Sequence, residues 1–215
     1  MKIFYATDIH SHINIIEHIP HIEFDLVILG GDITDFGSPD EGKKILRKIF
    51  KKTGCPVLFV PGNCDPPQLS TVKIGNDIQS IHGRILVYDG IPIGGLGGSN
   101  ITPFYTPFEW PENDAKESLN QLIGKLHDGI FVSHTPPFGT KLDITFSGKH
   151  VGSKSIREFI LREKPRLVLT GHIHEALGKE YLDDVIIVNP GPFNNGYYAI
   201  ITFEKSSIEI SLLTI

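Results

Sequence analysis

The sequence predicts an α/β fold in which helices cover two stacked sheets. Three observations predict it. Short, β-branched apolar runs recur along the chain, and most end in small or polar residues. Amphipathic stretches with helical spacing lie between several of them. Hairpin-like strands fill much of the second half, and no Pro/Gly/Ser-rich linker separates the two patterns.

The runs come first. Ile3 to Ala6 leads into Thr7-Asp8, Leu26 to Leu29 into Gly30-Gly31-Asp32, and Val57 to Val60 into Pro61-Gly62-Asn63. Ile130 to Val132 leads into Ser133-His134, and Leu167 to Leu169 into Thr170-Gly171-His172. Each run is too short for a helix and shows no polar alternation, so it reads as a strand buried on both faces. Glu41 to Lys52 sets Ile45, Leu46, Ile49 and Phe50 on one helical stripe, with lysines and Arg47 opposite; Ser38 or Asp40 can cap its start. Ser153 can cap a second helix with Ile156, Phe159 and Ile160 inward and Pro165 as its stop. A third is expected over Asn113 to Leu126, with Leu119, Leu122, Ile123 and Leu126 inward. Arg84 to Tyr88, Ile91 to Ile93, Val185 to Val188, Tyr197 to Phe203 and Ile208 to Leu213 read as antiparallel strands, the first two joined by a tight Asp89-Gly90 turn. Gly94 to Asn100 reads as a flexible loop, and Thr102 to Trp110 as a packed loop or a substrate wall.

Bulk properties narrow the function. A length of 215 residues suits one domain, 1–215. With 40% hydrophobic and 21% charged residues, the balance is globular rather than disordered. A formal net charge of −5 argues against general affinity for nucleic acid, which needs clustered positive charge. Cys55 and Cys64 are the two cysteines, and no leader is visible before the run at Ile3. A reducing cytoplasm is therefore expected, without a disulfide framework. No apolar run approaches the ~20 residues that span a bilayer, so no membrane partner is expected. Oligomeric state is left open.

The chemistry gathers where the runs end, the place where ligands bind in open α/β sheets. Five ends carry Asp8 and His10, Asp32, Asn63, His134, and His172 with His174. Two residues apart, Asp8 and His10 would point the same way in an extended segment, and His172 and His174 repeat that spacing. A carboxylate such as Asp32 can bridge two cations. A mixed nitrogen and oxygen set without thiolate fits a catalytic site better than a structural zinc site.

Asp8-Ile9-His10, Gly30-Gly31-Asp32, Gly62-Asn63-Cys64-Asp65, Ser133-His134 and Gly171-His172-Ile173-His174 together resemble the five signature blocks of the calcineurin-like metallophosphoesterases, in the family's order. The resemblance spans residues 1 to about 192. It implies a four-layer α/β/β/α sandwich of two mixed sheets flanked by helices, and a centre of two divalent transition-metal ions. Manganese is the first expectation, with iron, zinc and nickel open. By the same resemblance Asp8, His10, Asp32 and His174 would hold one ion. Asp32, Asn63, His134 and His172 would hold the other.

Cys64 departs from the pattern, since the family often has histidine there, thought to touch the phosphate and help protonate the leaving oxygen. A thiol is a weak donor. The Gly-Asn-Cys-Asp form is similar to a branch of small prokaryotic phosphodiesterases. A phosphodiester small-molecule substrate and attack by a metal-activated bridging hydroxide are what this resemblance implies. Asp32 and Asn63 would then serve catalysis as well as binding. Asp65 is expected to orient a ligand histidine. His150, in the polar loop before Ser153, is the candidate for the missing acid. A metal-binding scaffold without catalysis and a nuclease are the competing readings.

Overall fold

The computed structural model describes residues 1–215. Its strands, in chain order, are β1 (Lys2–Ala6), β2 (Leu26–Leu29), β3 (Val57–Phe59), β4 (Ile78–Ser80), β5 (Ile85–Tyr88), β6 (Ile91–Leu96) and β7 (Ser99–Asn100). They continue with β8 (Glu109–Trp110), β9 (Ile130–Ser133), β10 (Leu167–Leu169), β11 (Gly178–Leu182), β12 (Val185–Asn189), β13 (Tyr197–Phe203) and β14 (Ile208–Thr214). The α-helices are α1 (Pro39–Thr53), α2 (Glu112–Asn120) and α3 (Lys154–Glu163). One sheet runs β14-β13-β1-β2-β3-β4 and the other β11-β12-β10-β9-β6-β5, while β7 and β8 form a small pair. Both large sheets are mixed. β1 to β4 are parallel, with β13 and β14 antiparallel at one side. In the second sheet β12, β10, β9 and β6 are parallel, flanked by antiparallel β11 and β5.

Strand alternation sorts the side chains into layers. Ile3, Tyr5, Leu26 and Ile28 of the first sheet meet Ile130, Val132, Leu167 and Leu169 of the second in the central core. The opposite face of the first sheet, with Phe4, Val27 and Leu29, packs on Ile45, Leu46 and Ile49 of α1. The outer face of the second, with Phe131, Val168 and Ile187, packs on Leu119, Ile156, Phe159 and Ile160 of α2 and α3. Three apolar cores thus separate four layers, helix, sheet, sheet, helix, as the sequence predicts. Ser38 caps α1 by accepting the Glu41 N–H at 3.2 Å, and Gly54 at φ 71° ends it. Ser153 caps α3 by accepting the Ile156 N–H at 3.2 Å.

Several expectations change. The third predicted helix stops at Asn120, and Leu122 and Leu126 reach the core from turns. Gly124 there adopts φ 73° and donates its N–H to Glu163 Oε2 at 2.7 Å. Gly94 and Gly95 belong to β6 rather than to a flexible loop, because a side chain on Gly95 would collide with the Val132 carbonyl and the Val60 side chain. β12 is parallel to β10 and antiparallel only to β11. β4 and β11 were not predicted: β4 has three residues, and β11 is a half-exposed edge strand of mostly polar sequence.

Candidate metal centre

The loops after β1, β2, β3, β9 and β10 meet at one end of the sandwich. Gly171 N–H donates to the His134 carbonyl at 3.0 Å, and His172 N–H donates to Asp8 Oδ2 at 3.2 Å, so the loops of the two sheets are stitched together. All seven residues at the predicted strand ends converge there. Asp32 Oδ2 lies 3.6 Å from His10 Nε2 and 3.4 Å from His134 Nε2. Asp8 Oδ1 lies 3.3 Å from His174 Nε2, whose other neighbour is His10 Nε2 at 3.4 Å. Asn63 Oδ1 faces His134 Nε2 at 3.0 Å, and the His172 ring lies 5.0 Å, centre to centre, from that of His134.

The backbone that makes this possible is not extended. Asp8, His10, Asp32 and His172 all have positive φ, at 57°, 46°, 47° and 68°. Side-chain convergence of Asp8 with His10 therefore comes from tight left-handed turns, not from strand alternation. Such conformations cost roughly 1–3 kcal/mol each and persist where surrounding structure over-determines them. Here the carbonyl of Asp32 accepts N–H groups from both Ile9 and His10 at 2.9 Å, and Asp8 N–H reaches the Gly31 carbonyl at 3.0 Å.

Further contacts aim the donors. His134 Nδ1 faces the Gly30 carbonyl at 2.8 Å, which leaves Nε2 for the centre. Cys64 N–H donates to Asp32 Oδ1 at 2.8 Å. Asn63 Nδ2 donates to Thr106 Oγ1 at 3.1 Å, and Thr106 Oγ1 donates to Glu109 Oε1 at 2.6 Å. Asp35 Oδ1 stands 3.9 Å from His10 Nδ1. Thr106, Glu109 and Asp35 escape sequence reasoning. Thr106 and Glu109 sit more than forty positions from Asn63, and no spacing rule links them.

One expectation fails here. Asp65 orients no histidine: it accepts the N–H groups of Ile33 at 3.0 Å, Thr34 at 2.7 Å and Gly62 at 2.8 Å, and the Thr34 hydroxyl at 2.7 Å. It is a buried clamp between the loops after β2 and β3. His150 makes no polar contact with the seven. Its Nδ1 is 2.7 Å from Oδ1 of buried Asp143, and its ring lies 5.7 Å from that of Phe138.

Charge identifies what the site wants. Asp8 and Asp32 are 1% and 2% exposed, and neither has a lysine or arginine partner. Asp8 Oδ1 is buried without a well-formed hydrogen bond, although His174 lies near. Two buried carboxylates whose only charged partners are imidazoles suit a bound cation. Three donor groups have ligand atoms within 4.8 Å of one another: Asp8, His10 and His174; Asp32, His134 and His172; and His10, Asp32 and Cys64. Oxygen and imidazole donors suit divalent transition metals. Burial works against an ionised Asp32, yet the histidines around it, His134 foremost, hold its carboxyl well below the usual range. Burial lowers His134 too, but the Asp32 carboxylate prevails and raises it to about 9; burial and the His134 charge push His172 down to about 4.

Beside His172 and His174 opens a groove of about 800 Å³. A cavity of about 950 Å³ by Met1, Arg166 and Phe203 lies at the other end of the strands and holds no such donor group.

Fold and donor set together define a class: an α/β/β/α sandwich with side chains able to hold a metal gathered at strand ends. Residues 40–213 match the family model described as metallophosphoesterase, calcineurin superfamily. An uncharacterized protein of Methanocaldococcus jannaschii is 36% identical over 202 residues, 89% of this chain and 88% of that protein. A probable cyclic nucleotide phosphodiesterase of Synechococcus is 28% identical over 163 residues, 71% of this chain but 58% of that protein. The crystal structure of TT1561 of Thermus thermophilus superposes with a TM-score of 0.76 at 18% identity, covering 98% of this chain and 97% of that one. The chain belongs to the calcineurin superfamily of metallophosphoesterases, and is accordingly a metal-dependent phosphoesterase. No helix is long and apolar enough to cross a membrane.

Proposed function

We propose that the chain is a phosphodiesterase acting on small-molecule diesters with two divalent transition-metal ions, manganese foremost, and that residues 1–215 form its single domain. The observation that carries the reading is the position of Asp32, within 3.6 Å of His10 on one side and 3.4 Å of His134 on the other. One carboxylate between two donor groups suits a bridge. Asp8, His10, Asp32 and His174 would hold one ion, and Asp32, Asn63, His134 and His172 the other. When bound, the ions would supply the positive charge that acidifies water for attack and neutralises the phosphate in its transition state.

The chain's own residues do the rest. Thr106 fixes which face of the Asn63 amide turns to the centre. The Gly30 carbonyl fixes the ring orientation of His134. Cys64 is buried, and burial and the Asp32 carboxylate push its thiol far above the ordinary range, so it is a poor proton donor. His150 is held on Asp143. That pairing leaves Nε2 free, so His150 stays the candidate acid; with the thiol a poor donor at the family's usual position, diesters with stable leaving groups are favoured over alkyl monoesters. Two relatives support the preference by name: the probable cyclic nucleotide phosphodiesterase above, and a novel archaeal phosphodiesterase whose structure superposes with a TM-score of 0.51 at 16% identity, covering 99% of this chain and all of that one.

The test is metal-depleted protein reloaded separately with manganese, iron, zinc and nickel, then assayed on monoesters and diesters that share one leaving group. Hydrolysis of diesters ahead of monoesters is expected. No hydrolysis with any ion would instead favour the non-catalytic scaffold.

A further inference from the structure

We propose that Phe36 and Tyr105 are specificity-determining residues, and that they select diesters whose leaving group is an aryl ring bonded directly to the phosphate oxygen. For its reaction this rests on the phosphodiesterase reading; for binding it does not.

Backbone strain is the first observation. Phe36 and Tyr105 adopt φ 55° and 54°, in the left-handed region. A bulky side chain there is a genuine outlier, because its Cβ crowds the following carbonyl oxygen. The nine other non-glycine residues with positive φ are five aspartates, His10, His172, Ser11 and the helix-ending Lys164, none of them large and apolar. Exposure is the second observation. Phe36 is 60% exposed and Tyr105 90%. Packing of the rings therefore does not offset the strain, as it would in a core. Strain held without such a return marks ligand clamps and active sites.

Position is the third. Phe36 N–H donates to the Cys64 carbonyl at 3.1 Å. Tyr105 precedes Thr106, whose hydroxyl accepts from Asn63 Nδ2 at 3.1 Å and whose N–H donates to Glu109 Oε1 at 2.9 Å. Phe108 N–H donates to the Asn63 carbonyl at 3.0 Å. Two loops from distant parts of the chain are thus hung on the adjacent residues Asn63 and Cys64. Each carries one strained, bare ring at its anchor or one residue away. These bonds hold the backbone in conformations it would otherwise leave.

Chemistry narrows the occupant. A flat ring gains more from the faces of Phe and Tyr than an alkyl group of equal area does. Both anchors belong to the Asn63–Cys64 loop of the metal centre, so the ring that meets them is one joined to the phosphate without a spacer. The side chain at that point is a buried thiol, a weak hydrogen-bond donor that gives a leaving oxygen little help. A phenolate leaves without such help, since a phenol's reference pKa is about 10. In the reaction the oxygen of water bonds to phosphorus. The bond from phosphorus to the aryl oxygen breaks with its electron pair on that oxygen, and the phenolate takes a proton released by the water.

The experiment compares methyl phenyl phosphate with methyl hexafluoroisopropyl phosphate, whose leaving alcohol is close to phenol in acidity but has no flat face. Full-length manganese-loaded protein should favour the phenyl ester in kcat/KM by about tenfold or more. Phe36→Gly/Tyr105→Gly should erase that preference. Glycine takes up positive φ without strain, so the same double variant should unfold at a urea midpoint no lower than that of wild type. A packing role for the two rings would lower that midpoint. Equal kcat/KM for the two esters in wild type, a preference that survives the double substitution, or a lowered midpoint would each overturn the proposal. If wild-type protein hydrolyses neither ester, the reaction reading fails and binding decides. Calorimetry with phenyl phosphate and cyclohexyl phosphate then reads the two rings directly. Phenyl phosphate should bind about tenfold tighter, and only in protein with both rings; equal binding overturns the aryl site.

Discussion

Asn63 Nδ2 donates to Thr106 Oγ1 at 3.1 Å and, more weakly, to Cys64 Sγ at 3.5 Å, and these contacts set which way the asparagine amide points. With its nitrogen occupied on the loop before β8, the amide turns its oxygen toward His134 and the cluster. Thr106→Val removes the acceptor and leaves the amide free to flip. Affinity for one of the two proposed ions should fall by about 10–100-fold, the usual effect of removing a contact that aims a ligand. Metal titration calorimetry reads it, and Thr106→Ser should retain wild-type affinity.

Asp32 stands between both donor groups, so its loss should be felt twice. Asp32→Ala should bind fewer than two ions per chain by elemental analysis and should lose metal-dependent turnover by at least about a thousandfold, in line with removal of a principal electrostatic contributor. Retention of most activity would sink the bridging role.

Gly62 leaves room for Asp32. A Cβ on Gly62 would overlap both Asp32 Oδ1 and the Asp32 backbone nitrogen. Gly62→Ala should therefore weaken metal binding as strongly as loss of a ligand and destabilise the fold by roughly 1–3 kcal/mol through overpacking. Chemical denaturation and metal content measured on the same preparation would check both effects.

Cys64 occupies the position where the resembling family often carries histidine. Cys64→His should raise turnover of alkyl-leaving monoesters by about tenfold or more, because an imidazole can protonate a leaving alkoxide where a buried thiol does not. The gain should be smaller for p-nitrophenyl diesters, whose leaving group needs no proton. Equal gains on both substrates would show that the effect is not acid catalysis.

Glu112 gives a pH-dependent prediction remote from the metals. Its carboxylate accepts the Lys154 N–H at 3.1 Å, the Ser155 N–H at 2.8 Å and the Ser153 hydroxyl at 2.9 Å, at the start of α3. Burial opposes its ionisation, but these bonds win and hold its pKa below the ordinary glutamate value. A lowered folded-state pKa stabilises above the unfolded value of about 4.3, and that stability is lost as pH falls through the folded value. Glu112→Gln should thus be less stable than wild type by about 1 kcal/mol at pH 7, allowing for the group's partial exposure. Urea midpoints should converge as pH falls below about 4.

What could be read from the residues follows a pattern. The central strands declared themselves because burial on both faces demands unbroken apolar runs, as in Leu26 to Leu29 and Leu167 to Leu169. Edge strand β11, GKEYL, has no such demand and stayed hidden. Ser38 and Ser153 were legible as caps because capping is local chemistry. Gly94 and Gly95 misled, since a glycine needed for close strand packing looks the same in sequence as one in a loop.

By itself the sequence determined the sandwich, the strand ends that carry polar residues, and the identity of the side chains that gather there. Those are properties of apolar periodicity and residue type along a short stretch of chain. Only the tertiary structure decided that the aspartates and histidines converge through left-handed turns, that Asp65 clamps backbone amides, that His150 belongs to Asp143, and that Glu109 and Thr106 aim Asn63. Each of these is a contact between distant segments, and a hydrogen bond constrains the geometry of its two partners without constraining their separation along the chain.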